Sequence, residues 1–296
     1  MKDIIRIANS DSGITNEELR SILDEVLNGV QKPLKKILLL PPDFTRMHSG
    51  AGKITAMIYS KLKDTVQVDI MPALGTHDPM TREQVEAFFE GVVPYEQVIV
   101  HNWREDVVRI GEVPASYVSE VSEGLINDPL PVEINKHLLD PSYDLILSIG
   151  QVVPHEVVGM ANYTKNILVG CGGKDTINRS HILGAVFGME RIMGKDHSPV
   201  RKVFDYAQEH FLSKLPLVYI LTVTTASSDE VKIEGVFAGT SRKVFEEAVE
   251  LSREKNLIWL DEPIKKAVVY LDPREFKSTW LGNKAIYRTR MAMADG

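Results

Sequence analysis

Two kinds of segment alternate along this chain, and that alternation constrains its fold more than any other feature. Short apolar runs rich in Val, Ile and Leu lie at 37–40, 66–72, 97–101, 145–149, 217–224 and 268–271. They read as buried strands. Between most of them, at 16–30, 52–63, 82–89, 199–212 and 241–254, apolar residues recur with helical spacing. Thr15 stands before the acidic first turn Asn16-Glu17-Glu18, and Ser198 stands before Pro199, both in the place of a helix start. Strands that alternate with helices predict an α/β fold, a mainly parallel sheet flanked by helices. A Pro-marked break at Leu260-Asp261-Glu262-Pro263, with a strand at 267–271 and a helical stretch at 284–292 beyond it, predicts two domains. Residues 1–262 form the first and 263–296 the beginning of a second, too short to bury a core of its own and therefore expected to be truncated.

Composition narrows the partners. The 296 residues are 44% hydrophobic and 25% charged, an ordinary globular mixture. The net charge is −7, with both signs mixed along the chain and no basic stripe, which argues against nucleic acid as a partner. An anionic small molecule remains open, because one local Arg can hold a carboxylate whatever the overall charge. With Cys171 as the single cysteine, no intrachain disulfide can form. The N-terminal stretch lacks an apolar signal region, and the apolar runs are too short to span a bilayer, so a cytoplasmic protein without membrane contact is expected.

The loops that follow the apolar runs hold the chemistry-bearing residues. Run 37–40 is followed by Pro41-Pro42-Asp43-Phe44-Thr45-Arg46, and run 66–72 by Leu74-Gly75-Thr76-His77. The next two lead into His101-Asn102-Trp103-Arg104 and Gly150-Gln151-Val152-Val153-Pro154-His155. Ligands of open α/β sheets bind beyond the carboxyl ends of the strands, so these loops are expected to face one crevice. The chain has eight histidines, and three stand at these ends. His48, His137, His197 and His210 match no pattern and are expected to be structural or at the surface. The glycines of Gly170-Cys171-Gly172-Gly173 allow either a phosphate cradle or a plain turn. Dehydrogenase, zinc-ribbon, zincin and serine-hydrolase signatures are absent.

These segments match a known pattern in order and spacing. Asp43-Phe44-Thr45-Arg46 resembles the D-x-T-R signature of the nickel-dependent lactate racemase family. Gly75-Thr76-His77 with Pro79-Met80-Thr81 is similar to that family's G-T-H-R-P-M-T, with Asp78 in place of Arg. His101-Asn102-Trp103-Arg104 resembles H-D-W-R. Pro154-His155, Gly159, Lys165 and His181 resemble its later block, with ten residues from His155 to Lys165 and sixteen more to His181. Tyr287-Arg288-Thr289-Arg290-Met291 resembles the tyrosine segment that opens the family's second domain.

The resemblance implies an enzyme, a racemase or epimerase that inverts C2 of a small 2-hydroxyacid, lactate-like or a sugar acid. It implies a nickel-pincer nucleotide (pyridinium-3-thioamide-5-thiocarboxylate mononucleotide) attached to Lys165, with His181 as the nickel ligand. His77 and His155 would be two opposed proton-transfer residues. Asp43, Thr45 and Arg46 would lie against the cofactor, and Arg46, Tyr287 and Arg290 against the substrate. A C–H beside a carboxylate is too weakly acidic for easy deprotonation, so hydride removal to a cofactor is the implied route, with a base on each face for the hydroxyl proton. Two departures stand out. Where family members carry a Gly-rich S-G-G before the lysine, this chain has Ala161-Asn162-Tyr163-Thr164, a weak hint of a polyhydroxy substrate, and the lysine expected after the last tyrosine is missing. Two other classes stay open: a hydrolase or lyase using a divalent metal held by His and Asp, and a non-catalytic binding module. Residues 1–296 alone are expected to fold yet to racemise little, their crevice open on the side where family members place a second domain.

Overall fold

The computed structural model describes residues 1–227, 230–273, 276 and 278–294. Its strands are β1 (Ile4–Ile7), β2 (Lys36–Leu40), β3 (Gln67–Ile70), β4 (Val107–Val113), β5 (Leu130–Asn135), β6 (Leu145–Gln151), β7 (Pro154–His155), β8 (Gly159–Met160), β9 (Leu217–Ser227) and β10 (Glu230–Gly239). Among the described residues six of them form one sheet in the order β1-β10-β9-β6-β2-β3. β2 pairs in parallel with β3 and β6, and β6 in parallel with β9. β10 and β1 then extend the sheet antiparallel. The sheet is mainly parallel, with an antiparallel edge.

β2 shows why its run is apolar without interruption. Side chains alternate across a strand, and here both faces are covered. Ile37 and Leu39 enter one core with Leu19 and Ile22 of α1 (Asn16–Asn28), Ile54 and Ile58 of α2 (Ala51–Leu62) and Val85 of α3 (Arg82–Phe88). Leu38 and Leu40 enter the other core, built by later elements. Val118 comes from α4 (Ala115–Val121), Leu183 from α5 (Lys174–Phe187), Val203 from α7 (Pro199–Ala207) and Phe245 from α8 (Arg242–Asn256). A short helix, α6 (Met189–Ile192), separates α5 from α7. The start signals act as expected. Thr15 and Glu18 close a capping box on α1, and the Ser198 side chain accepts from Arg201 N at the start of α7.

Two expected strands are absent. Run 97–101 begins inside a 3-10 turn, Tyr95–Gln97, and meets the sheet through the bridge Ile70↔Val98 and the Gln97 side chain, which donates to Val68 O, without forming a ladder. Run 268–271 has neither strand nor helix; Val268 is fully exposed and Tyr270 82% exposed, so the β-branched residues pack on nothing that would fix a ladder. Helical structure resumes in α9 (Thr279–Gly282) and α10 (Lys284–Thr289). No helix among the described residues is long and apolar enough to cross a membrane.

Candidate active site

A cavity of about 900 Å³ opens beyond the carboxyl ends of β2, β3 and β6. Its walls come from loops 42–46, 73–77 and 151–157, from turn 161–170, from α5 and from α10. The nine residues to which the resemblance gives roles all line it: Asp43, Thr45 and Arg46, His77, His155, Lys165, His181, and Tyr287 with Arg290.

Asp43 follows β2 and is buried. One carboxylate oxygen accepts from Thr45 N (2.9 Å) and from Thr45 Oγ1 (2.5 Å). The other accepts from His77 Nδ1 at 2.5 Å. Burial pushes the Asp43 carboxyl up, but the hydrogen bonds from His77 and Thr45 and the charge of Arg46 outweigh it and hold the pKa below the usual carboxylate value. His77 reaches this carboxylate because the loop after β3 turns sharply. Gly75 adopts φ +57, in the left-handed region where a Cβ is strained, and His77 N donates to Leu74 O (2.9 Å). With Nδ1 donating to Asp43, the neutral imidazole keeps its lone pair on Nε2.

His155, beyond β6, has the opposite arrangement. Its Nδ1 accepts from Val157 N at 3.1 Å, so the neutral ring carries its proton on Nε2. Burial holds it neutral, well below the usual histidine range; neighbouring Glu156 opposes this, while the cations of Lys165 and Lys284 add to it. Lys284 Nζ donates to Glu156 Oε1 at 2.6 Å, both side chains being largely buried. Burial would raise the Glu156 carboxyl, yet the ion pair with Lys284 keeps it strongly depressed and ionised.

Lys165 stands at the head of a π-helical turn, Asn166–Gly170. Such turns are uncommon and often mark functional positions. Burial, with Arg46 and Lys284 close by, pushes its amine down to about 7, so near neutral pH a large share is uncharged and nucleophilic. On α5, His181 Nδ1 donates to Ile177 O at 2.6 Å, which leaves the lone pair on Nε2. Burial chiefly, opposed by the Ile177 carbonyl, lowers its pKa and keeps the ring neutral. One prediction follows for Lys165. Its amine stays neutral in the fold while the unfolded chain takes up a proton as pH falls from 10.5 toward 7, so stability declines with falling pH across that window. Lys165→Met should therefore raise the melting temperature at pH 7, with the gain shrinking as pH approaches 10.5. Thermal melts across this range check it, and an unchanged or lower melting temperature at pH 7 would contradict it.

With this geometry in view, known proteins can be compared. Residues 6–192 match the lactate racemase N-terminal domain. The chain belongs to that family. A lactate racemase from Thermoanaerobacterium thermosaccharolyticum is 27% identical over 215 residues, which cover 71% of this chain and 46% of that protein. The chain thus spans about half the length of this curated relative. Two solved structures share the fold, each at 24% identity. A protein from Thermotoga maritima superposes with a TM-score of 0.86 over 98% of this chain and 71% of its own. The lactate racemase apoprotein from T. thermosaccharolyticum superposes with a TM-score of 0.62 over 82% of this chain and 56% of its own.

Within this lactate racemase N-terminal fold, several sequence expectations are corrected. His101 does not face the cavity. It is buried, bonded through Nε2 to Gly172 O (3.1 Å) and through Nδ1 to Asn135 Nδ2 (2.8 Å), and it secures the glycine turn. That turn is no phosphate cradle, because the start of α5 is already occupied by the carboxylate of Glu133, which accepts from Asp175 N (2.9 Å). Tyr163 is 3% exposed and packs on Tyr219 and Phe245, so its hydroxyl offers nothing to a polyhydroxy substrate. His48, His197 and His210 are exposed and His137 is half-buried, and none of the four lines the cavity. Lys284, which the sequence did not single out, shares α10 with Tyr287 at i, i+3 spacing and lines the cavity. Glu156, beside His155 in sequence, was not singled out either. Arg290, at the rim, pairs with Glu190.

Proposed function

We propose that these residues form the cofactor-binding part of a 2-hydroxyacid racemase or epimerase, an isomerase that inverts C2 by proton-coupled hydride transfer. In this reading residues 1–262 are the cofactor-binding body, and residues from 263 begin a further unit that adds Lys284, Tyr287 and Arg290 to the cavity wall.

The residues fit a nickel-pincer nucleotide. The depressed amine of Lys165 suits covalent attachment, and His181 Nε2 suits a fourth nickel ligand, oriented by the Ile177 carbonyl behind it. When bound, the nucleotide supplies a hydride acceptor and donor for C2. The chain's own residues do the rest. Asp43 orients His77 so that Nε2 takes the hydroxyl proton of one enantiomer. His155 would take the opposite part: as the imidazolium it would give a proton to the oxygen when the planar 2-oxoacid is reduced on its other face, and so return to the neutral ring. In the reverse direction the two exchange roles. Arg46 grips the carboxylate and fixes which face is presented.

The carrying observation is a pair of histidines in opposite tautomers, one with Nδ1 donating to Asp43 and the other with Nδ1 accepting from Val157, on a single cavity that also holds Lys165. A hydrolase or lyase built on an ordinary divalent ion has less support. Among the described residues no group of three His, Cys, Asp or Glu side chains is arranged to hold a metal. The test is a panel of 2-hydroxyacids, from lactate to aldonates, assayed for C2 inversion by chiral chromatography. Protein produced with the cofactor-synthesis enzymes should invert one of them. Equal inversion by protein produced without those enzymes, supplied only with divalent metal, would refute the assignment.

A further inference from the structure

Arg201 on α7 is fully buried, and none of the chemistry above uses it. Taking a guanidinium out of water is costly unless its donors are satisfied. Among the described residues Arg201 forms no ion pair, and its Nε has no partner. Its remaining donors converge on one turn. Nη1 donates to Thr164 Oγ1 (2.5 Å), and Nη2 donates to the carbonyls of Met160 (2.6 Å) and Asn162 (3.2 Å). Its guanidinium stacks over Phe245, 4.4 Å from the ring centroid.

That turn is strained and stands immediately before Lys165. Asn162 and Tyr163 adopt φ 62 and φ 56, two successive left-handed residues that carry a Cβ. Lys165 N and Asn166 N donate back into the turn, to Asn162 O (3.2 Å) and Tyr163 O (3.0 Å). The Asn162 carbonyl is therefore shared between Arg201 and the Lys165 backbone. Away from Arg201, the Asn162 side chain packs so tightly on the end of β6 that a Cβ on Gly150 would meet its Nδ2 at 2.0 Å. The strained conformation is clamped from both sides.

We propose that Arg201 is a positioning residue: it binds the carbonyls of Met160 and Asn162 and the Thr164 hydroxyl, and so holds the left-handed turn that presents Lys165 to the cavity. Its importance for the cofactor rests on the reading of Lys165 as the anchor. Its hold on the turn does not.

Amide hydrogen exchange tests the hold directly on the cofactor-free chain. In Arg201→Met, exchange at the Lys165 and Asn166 amides should rise by about ten-fold or more, while β2 and β6 stay protected. Arg201→Lys, which keeps a charged donor, should recover part of the protection. Val118→Ala on α4 loosens the same core away from the turn, and should leave the two amides within about two-fold of wild type even though it lowers the melting temperature. Unchanged amides in Arg201→Met, or an equal rise in Val118→Ala, would overturn the proposal. If Arg201→Met does not fold, Thr164→Val replaces it; a rise confined to the same amides is expected, and none would overturn the proposal. A second readout is the covalent adduct on Lys165 after production with the cofactor-synthesis enzymes. It should fall by about ten-fold in Arg201→Met relative to Val118→Ala. An adduct at the Val118→Ala level in Arg201→Met would refute the link to Lys165. Wild-type protein without any adduct would refute the anchor reading instead, and the exchange data would still decide the hold.

Discussion

Lys165→Ala should yield a folded protein that carries no covalent nucleotide. The side chain is the sole point of attachment in the proposed scheme, and its loss relieves a costly buried amine rather than breaking a packed contact. The effect is all or none. His181→Ala should separate the organic and metal parts: intact mass would still show an adduct on Lys165, while nickel per chain, by elemental analysis, would fall to background. The physical reason is that His181 donates from Nδ1 to the Ile177 carbonyl and presents Nε2 to the cavity side, a coordination role with no share in the covalent bond. Wild-type nickel content in both variants would refute both roles.

The second large effect concerns the two histidines. Loss of one general acid or base costs about 10²–10⁴ in ordinary catalysis. Inversion needs one group to take a proton and the other to give one in every turnover, so no single histidine can serve both faces. His77→Ala and His155→Ala should therefore each exceed that range and abolish inversion in both directions. With loaded protein in excess over substrate, single-turnover assays on each enantiomer measure this even where steady-state activity is low. If either variant inverted both enantiomers within a few-fold of wild type, the two-base scheme would be wrong.

Much of this site was legible because sheet geometry does the gathering. The loops after β2, β3 and β6 leave the sheet at one edge, so Asp43, His77 and His155 meet although they lie far apart in sequence. The buried strands were equally plain, since β2 faces two cores and needs apolar residues at every position from Ile37 to Leu40. The antiparallel additions were not. β1 and β10 each have polar or exposed positions, and their place in the sheet is set by pairing with β9 and β10, which no local pattern encodes. The run at 97–101 misled for the opposite reason: its apolar residues complete the edge beside β3 without a ladder of their own. Histidines looked alike in the sequence, yet His101 bonds to Gly172 and Asn135 in the interior, while His77 bonds to a carboxylate at the cavity wall. The difference lies in partners brought from other segments. Lys284 and Arg201 were hidden in the same way, one arriving on α10 and the other behind the strained turn.

Whether the hydrogen at C2 travels as hydride or as a proton is decided by isotope retention. A 2-hydroxyacid deuterated at C2, the member of the panel that is inverted, would be turned over by loaded protein in ordinary water, and the deuterium in the opposite enantiomer measured by mass spectrometry. Hydride removed and returned on the cofactor does not exchange with water, so the product should retain its deuterium at C2. A product carrying hydrogen from water at C2 would contradict hydride transfer.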